Sequence, residues 1–277
     1  MVRFAALYLC VSFAFAAPAS QGETVIVETH GELPAGWVAG APPSTQEELM
    51  CANWAAGWKV EGSSNDGISL SRAGRSLSQF SLALDDGVMW ATNRGEWGGK
   101  VEWQAANSDR RVLVMRAIPV AFMTFQNAVY VAAGLAHGFS IRTEHGTEFI
   151  GEHGKQVARL VRSDGTWKVD GAMELDMVPH TVLQSGENAI IVANRGVIAA
   201  NLRTMQASQM HRNDNWSTLF PNSIVAVGND SYLIGLNSGV VKLTRNGAKF
   251  DEQWWRPAAC ARMKPVSNIQ CACLSQP

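Results

Sequence analysis

An all-β fold, a small β-propeller of about five four-stranded blades closed by a disulfide between its N- and C-terminal parts, is predicted by three observations on this sequence. The first is a recurring strand-turn-strand unit. It reads Asp86-Gly87-Val88-Met89-Trp90-Ala91-Thr92-Asn93-Arg94-Gly95, recurs at 127–132 running on to His137-Gly138, again at 188–196, and again at 230–239. Its turn glycines, Gly95, Gly138, Gly196 and Gly239, stand 43, 58 and 43 residues apart, so the middle step is one period plus 15 residues. Apolar, β-rich runs of this length at this period mark a propeller, in which each period is one four-stranded blade. The second observation is Pro119, Pro179 and Pro221, spaced 60 and 42 residues apart, each opening an innermost strand on the same beat.

The third is the cysteine pattern, which depends on the leader. Residues 1–19 carry Arg3, an apolar run from Phe4 to Ala16 and small residues in Ala14-Phe15-Ala16-Ala17, which reads as a secretory signal peptide with its cleavage site. The apolar run is too short to span a bilayer comfortably. Removing Cys10 with the leader leaves Cys51, Cys260, Cys271 and Cys273, an even set in an oxidising compartment, for which two disulfides are expected. Pairing Cys271 with Cys273 across one residue is strained, so one bridge should tie Cys51 to the C-terminal cluster and fasten the last blade to the first. A zinc site from Cys260, Cys271 and Cys273 lacks an evident fourth ligand.

Each element follows from its local pattern. In one full period the strands fall at 78–84, 88–93, 100–105 and 110–117, and 120–125 opens the next blade. Phe80-Ser81-Leu82-Ala83-Leu84 alternates large with small, as a crowded strand beside a central channel requires. Upstream, 24–29 is a strand, the Gly/Pro-rich stretch 31–43 breaks it, and Ser44 three residues before Glu47 forms a capping box that starts a short helix toward Trp54. Strands return over 58–71 around Ser64-Asn65-Asp66-Gly67. The residues after the leader, 20–277, read as one propeller domain with clear blades at 77–118, 119–177, 178–219 and 220–262. A first blade at 23–76 makes five, and six follow if that region and the 15-residue surplus supply further strands. Ten Trp against 3 Tyr provide flat side chains for packing between blades.

The segment 86–95 resembles the blade motif of two-component-regulator propeller repeats, in which Asp-Gly is followed by Leu-Trp, Thr and Gly at fixed offsets. The likeness is good for this blade and partial for the others, which lack both Trp and Thr at the matching positions. That family implies a seven-bladed sensor, for which this chain is too short. Ser163-Asp164-Gly165-Thr166-Trp167 also resembles the Asp box of sialidase-type propellers, but it occurs once with compressed spacing, and a tight Asp-Gly hairpin accounts for it.

In a propeller the turns from second to third strand and the entries from fourth to first strand share one face, where loops vary on a rigid scaffold. The repeat register therefore nominates a partner-binding surface: Arg94, Glu96 and Trp97, then Arg195, then Asn237, with His180 at an entry. The surplus residues fall within 135–155 and bring His137, His145 and His153 together with Glu144, Glu148 and Glu152 in one long loop or extra hairpin. Their spacing matches no zinc or copper pattern.

A formal net charge of −1 argues against nucleic acid and against an anionic membrane surface. No Gly-x-Ser-x-Gly elbow, His-Glu-x-x-His helix or phosphate-binding glycine loop is present, and paired carboxylates such as Asp85-Asp86 and Asp251-Glu252 fit turns or a strand start. The sequence thus predicts an exported, periplasmic or secreted, non-catalytic propeller without cofactor that binds a protein partner through its loop face, as an inhibitor or immunity protein does. The competing reading is a glycan-binding or glycan-cleaving propeller with Trp97 as a stacking platform.

Overall fold

A computed structural model of the chain describes residues 25–27, 33–55, 57–63, 67–73, 79–135, 139–143, 146–150, 153–267 and 270–274. The leader at 1–19 and the loop residues His137, Glu144, His145 and Glu152 lie outside them. The chain is an all-β propeller built from five antiparallel sheets taken in chain order. Blade 1 pairs Trp58–Ser63 with Gly67–Arg72 and adds Val25–Val27 outside it. Blade 2 runs Gln79–Leu84, Gly87–Asn93, Gly99–Ala105, Arg111–Arg116, within a residue or so of each predicted strand. Blade 3 uses Pro119–Phe125, Ala128–Leu135, His153–Ser163 and Thr166–Glu174, and blade 4 uses Pro179–Ser185, Asn188–Ala193, Gly196–Asn201 and Gln206–Arg212. Blade 5 uses Ser223–Ala226, Ser231–Leu236, Gly239–Asn246 and Lys249–Pro257. The surplus in blade 3 is a hairpin of its own, Phe139–Thr143 paired with Gly146–Ile150.

The second strands explain the packing. Ala128–Leu135 is buried at every position, because both of its faces are covered by neighbouring blades. Val129 and Val131 pack with Met89, Val101 and Trp103 of blade 2, while Tyr130 and Ala132 pack with Ala189, Ile191 and Ala193 of blade 4. Val192 meets Ile234, Leu236 and Trp254 between blades 4 and 5, and Leu233 meets Trp58, Val60 and Leu70 between blades 5 and 1. Repeat register alone suggests that Trp90, Tyr130, Ile191 and Leu233 are equivalent. All four lie on second strands, but in two phases: Tyr130 and Leu233 face the following blade, and Ile191 faces the preceding one. Tyr130 and Leu233 stand third in their strands whereas Trp90 and Ile191 stand fourth, and one residue reverses the face. Trp90 also points away from blade 3; Met89 packs there instead, and Trp90 is capped by the Arg111 guanidinium at 3.9 Å and donates its indole N–H to Gln104.

Innermost strands are buckled to one another. The Gln184 side chain accepts from the Thr124 N–H and donates back to the Thr124 carbonyl, joining blades 3 and 4. Ser223 Oγ accepts from the Val60 N–H at 2.9 Å, joining blades 5 and 1.

Ring closure has two parts. Cys51 is bonded to Cys271, 220 residues away with Cα atoms 5.6 Å apart, as the cysteine arithmetic predicts, and Cys260 is disulfide-bonded as well. The bridge joins the helix Gln46–Trp54 to a C-terminal hairpin, Arg262–Ser267 with Gln270–Leu274. The second part was not predicted. Within the stretch 31–43, expected only to break structure, Trp37–Gly40 forms a strand and lies antiparallel on Lys249–Pro257 as a fifth strand of blade 5. The N-terminal region thereby covers the outer edge of the last blade. The helix cap also shifts by one residue: Thr45 is the N-cap, accepting from the Glu48 N–H at 3.1 Å, and Glu48 accepts from the N–H groups of Thr45 and Ser44. Ser44 with Glu47 and Thr45 with Glu48 fit the capping pattern equally, and sequence spacing does not separate them.

Candidate partner-binding face

The turns between second and third strands are set by asparagines whose side chains serve the fold. Asn93 donates to the Pro119 carbonyl at 3.0 Å, Asn194 accepts from the Val178 N–H at 3.0 Å, and Asn237 donates to the Asn53 carbonyl at 3.1 Å. Asn93 ties its turn to the entry of the next blade, Asn194 to the entry of its own blade, and Asn237 to the end of the helix. Asn237, nominated as a contact residue, is thus held by the helix that packs over blade 5. The helix also packs against the short 3₁₀ segment Asp214–Thr218 and the strand Arg262–Ser267. That side of the face is covered.

Over blade 2 the face is open. Arg94 to Gly98 form a closed turn: Arg94 N–H donates to the Gly98 carbonyl at 2.9 Å, Trp97 N–H to Arg94 at 3.2 Å, and Gly98 N–H to Gly95 at 3.0 Å. Asn93 Oδ1 accepts from the Gly95 N–H at 2.8 Å. Gly95 and Gly98 have φ of 58° and 83°, a left-handed backbone that a residue with Cβ adopts at a cost. This hydrogen-bonded turn holds Trp97 87% exposed, with Arg94 and Glu96 exposed beside it.

The remaining nominated residues fall differently. Arg195 is half-buried and interacts within the protein, so it is no copy of the exposed Arg94. His180, second in its innermost strand, is half-buried with its ring edge-on to Phe220 at 6.2 Å. His153 opens the third strand of blade 3, opposite Leu135. Glu148 lies in the inserted hairpin, opposite Ile141.

One polar cluster escaped the sequence reading. Glu252 lies within the strand Lys249–Pro257, and its carboxylate meets His211 Nε2 at 2.5 Å, Asn213 Nδ2 at 3.0 and 3.1 Å, and the Trp254 indole N–H at 2.8 Å. It joins the outer strands of blades 4 and 5. Burial pushes the Glu252 carboxyl up, but the hydrogen bonds from His211, Asn213 and Trp254 outweigh it and hold it below its ordinary value. A folded pKa below the unfolded one stabilises the fold above the ordinary carboxylate range, and that stabilisation is lost as pH falls through the folded value. Glu252→Ala is expected to cost about 2 kcal/mol at neutral pH, because it strands one buried and two half-buried donors. Glu252→Gln should flatten the loss of urea stability between about pH 5 and pH 3. An unchanged acid limb in Glu252→Gln would assign the acid sensitivity to another group.

No protein-family model and no curated protein matches the sequence. Among solved structures, the chain is similar to the crystal structure of HIRA(644-1017), at 8% identity over 72% of this chain and 56% of that one, with a TM-score of 0.34. It is also similar to a chain of the mitotic checkpoint complex, at 10% identity over 95% of this chain and 91% of that one, TM-score 0.34. A third is the AfRom2 CNH domain, at 8% identity over 67% and 65%, TM-score 0.25. The chain thus spans just over half of the matched HIRA chain. At such identities and scores the propeller assignment rests on the five sheets and their register.

Proposed function

We propose that this chain is a non-catalytic, exported propeller that binds a protein partner through the open part of its loop face, with Trp97 as the anchor. The observation that carries the reading is the Arg94-to-Gly98 turn, which presents an exposed indole on a backbone already fixed by its own hydrogen bonds. An exposed Trp is a frequent hot-spot residue, and ordering it in advance lowers the entropy lost on binding. Export is supported by the leader-like residues 1–19 and the Cys51–Cys271 bridge; among the described residues no helix is long and apolar enough to cross a membrane. An inhibitor or immunity protein acting on a secreted toxin is the version that best fits a small exported binder without a catalytic set.

The test replaces 136–152 with a short Asn-Gly turn and compares both proteins for capture of exported proteins and on a glycan array. The proposal predicts an intact thermal transition, impaired protein capture and no glycan signal. A glycan signal abolished by Trp97→Ala would replace the partner with a carbohydrate.

A further inference from the structure

Blade 5 shows that this fold accepts a fifth strand on the outer edge of a blade, since Trp37–Gly40 pairs there with Lys249–Pro257. The outer edge of blade 2, Arg111–Arg116, carries no such cover among the described residues. Its chemistry differs from that of the outer strands of blades 3 and 4. Gln206–Arg212 of blade 4 is largely polar, and Thr166–Glu174 of blade 3 carries Lys168, Asp170 and Gly171, charges and a flexible residue that oppose strand addition. Arg111–Arg116 reads Arg-Val-Leu-Val-Met-Arg, with Val112 50% and Leu113 47% exposed. Val169, 46% exposed on the outer strand of blade 3, lies on the strand packed beside it and widens the apolar surface.

The ends of this edge are cationic. Arg110, Arg111 and Arg116 are exposed, and the ladder places Arg116 opposite Lys100. A bulge at Val114 leaves Arg111 to Leu113 as the regular part, one residue shorter than the four-residue strand Trp37–Gly40 on blade 5. A second copy of the chain fits poorly, because antiparallel self-pairing centred on this hexapeptide sets Arg111 of one copy against Arg116 of the other.

We propose that the outer edge of blade 2 is a docking site for an extended peptide of a partner protein, apolar at its centre and acidic at its ends, which adds as a fifth strand. Main-chain hydrogen bonds to the edge supply affinity, and contacts to Val112 and Leu113 with charge-assisted bonds from the arginines set register and partner choice.

The test uses the full chain and three fluorescein-labelled peptides at low salt: Glu-Glu-Val-Thr-Val-Thr-Val-Glu-Glu, the same peptide with Lys at all four ends, and the acidic peptide with its central Val replaced by Pro. Fluorescence anisotropy should show the acidic peptide binding about tenfold tighter than either control. Leu113→Lys should weaken it about tenfold at an unchanged thermal midpoint, Arg111→Glu with Arg116→Glu should reverse the charge preference, and Asp230→Ala should change nothing. Equal binding of all three peptides, no binding of the acidic peptide up to about 1 mM, or indifference to Leu113→Lys would overturn the proposal. A dimer that Leu113→Lys splits in sedimentation velocity would overturn it in favour of a second copy.

Discussion

Replacing Cys51 and Cys271 together with alanine is expected to lower the thermal midpoint by about 10 to 20 °C, the largest effect of any change considered for this chain. The bridge spans 220 residues, and on the chain-entropy account a loop of that length restrains the unfolded chain by about 5 kcal/mol. The bridge does not join one blade strand to another. It pins the helix Gln46–Trp54 to the C-terminal hairpin, while the fifth strand Trp37–Gly40 engages blade 5 by backbone hydrogen bonds and by burial of Trp37 against Trp58 and Trp255. The expected unfolding is therefore biphasic at the margin: the helix and hairpin loosen first, and hydrogen exchange there rises before that of the second strands, whose amides lie in the buried clusters. Calorimetry of the double variant decides the point, and a midpoint within a degree or two of the native protein would show that the fifth strand closes the ring without help.

Trp97→Ala combined with Arg94→Glu is expected to weaken partner binding by about 4 kcal/mol, close to a thousandfold, with little change in thermal stability. The separation follows from burial. Trp97 and Arg94 point outward from a turn whose backbone hydrogen bonds do not involve their side chains, so the folded state loses almost nothing. Glu48 makes a useful contrast: the Ser44 and Thr45 N–H groups hold its carboxyl low, so a change there disturbs the helix cap and hence the covered part of the face.

How much of this was legible in the sequence varied with the kind of interaction. The strands of blade 2 were readable almost to the residue, because alternation, the Asp85-Asp86 and Asn93-to-Gly98 turns and the 43-residue beat all agree there. The Cys51 bridge was readable down to a choice of partners, since strain removes one pairing of three. Trp37–Gly40 was hidden because four residues bounded by Gly and Pro carry no usable period, and its strand character comes from the edge it completes rather than from its own sequence. The phase of Ile191 against Tyr130 was hidden because the turns before them are equal in length and the unbroken apolar runs Val129-Tyr130-Val131 and Ile190-Ile191-Val192 do not mark that Tyr130 stands third and Ile191 fourth in its strand. Glu252 was read as a residue at the start of a strand beside Asp251; its partners His211 and Asn213 lie about 40 residues away in another blade, a distance no local pattern records. At the candidate site, sequence register found the exposed turn with Trp97 but could not distinguish Arg94, exposed, from Arg195, held within the fold.

The central claim, that the open loop face over blade 2 is where the partner docks, is tested most directly by site-specific photo-crosslinking. A benzophenone amino acid is placed at position 97 in one protein and, in another, at position 85, in the turn at the opposite end of the same blade. The account predicts a discrete crosslinked product from position 97, competed away by unlabelled native protein, and none from position 85. A competed product from position 85 with none from position 97 would contradict it and move the partner to the other face.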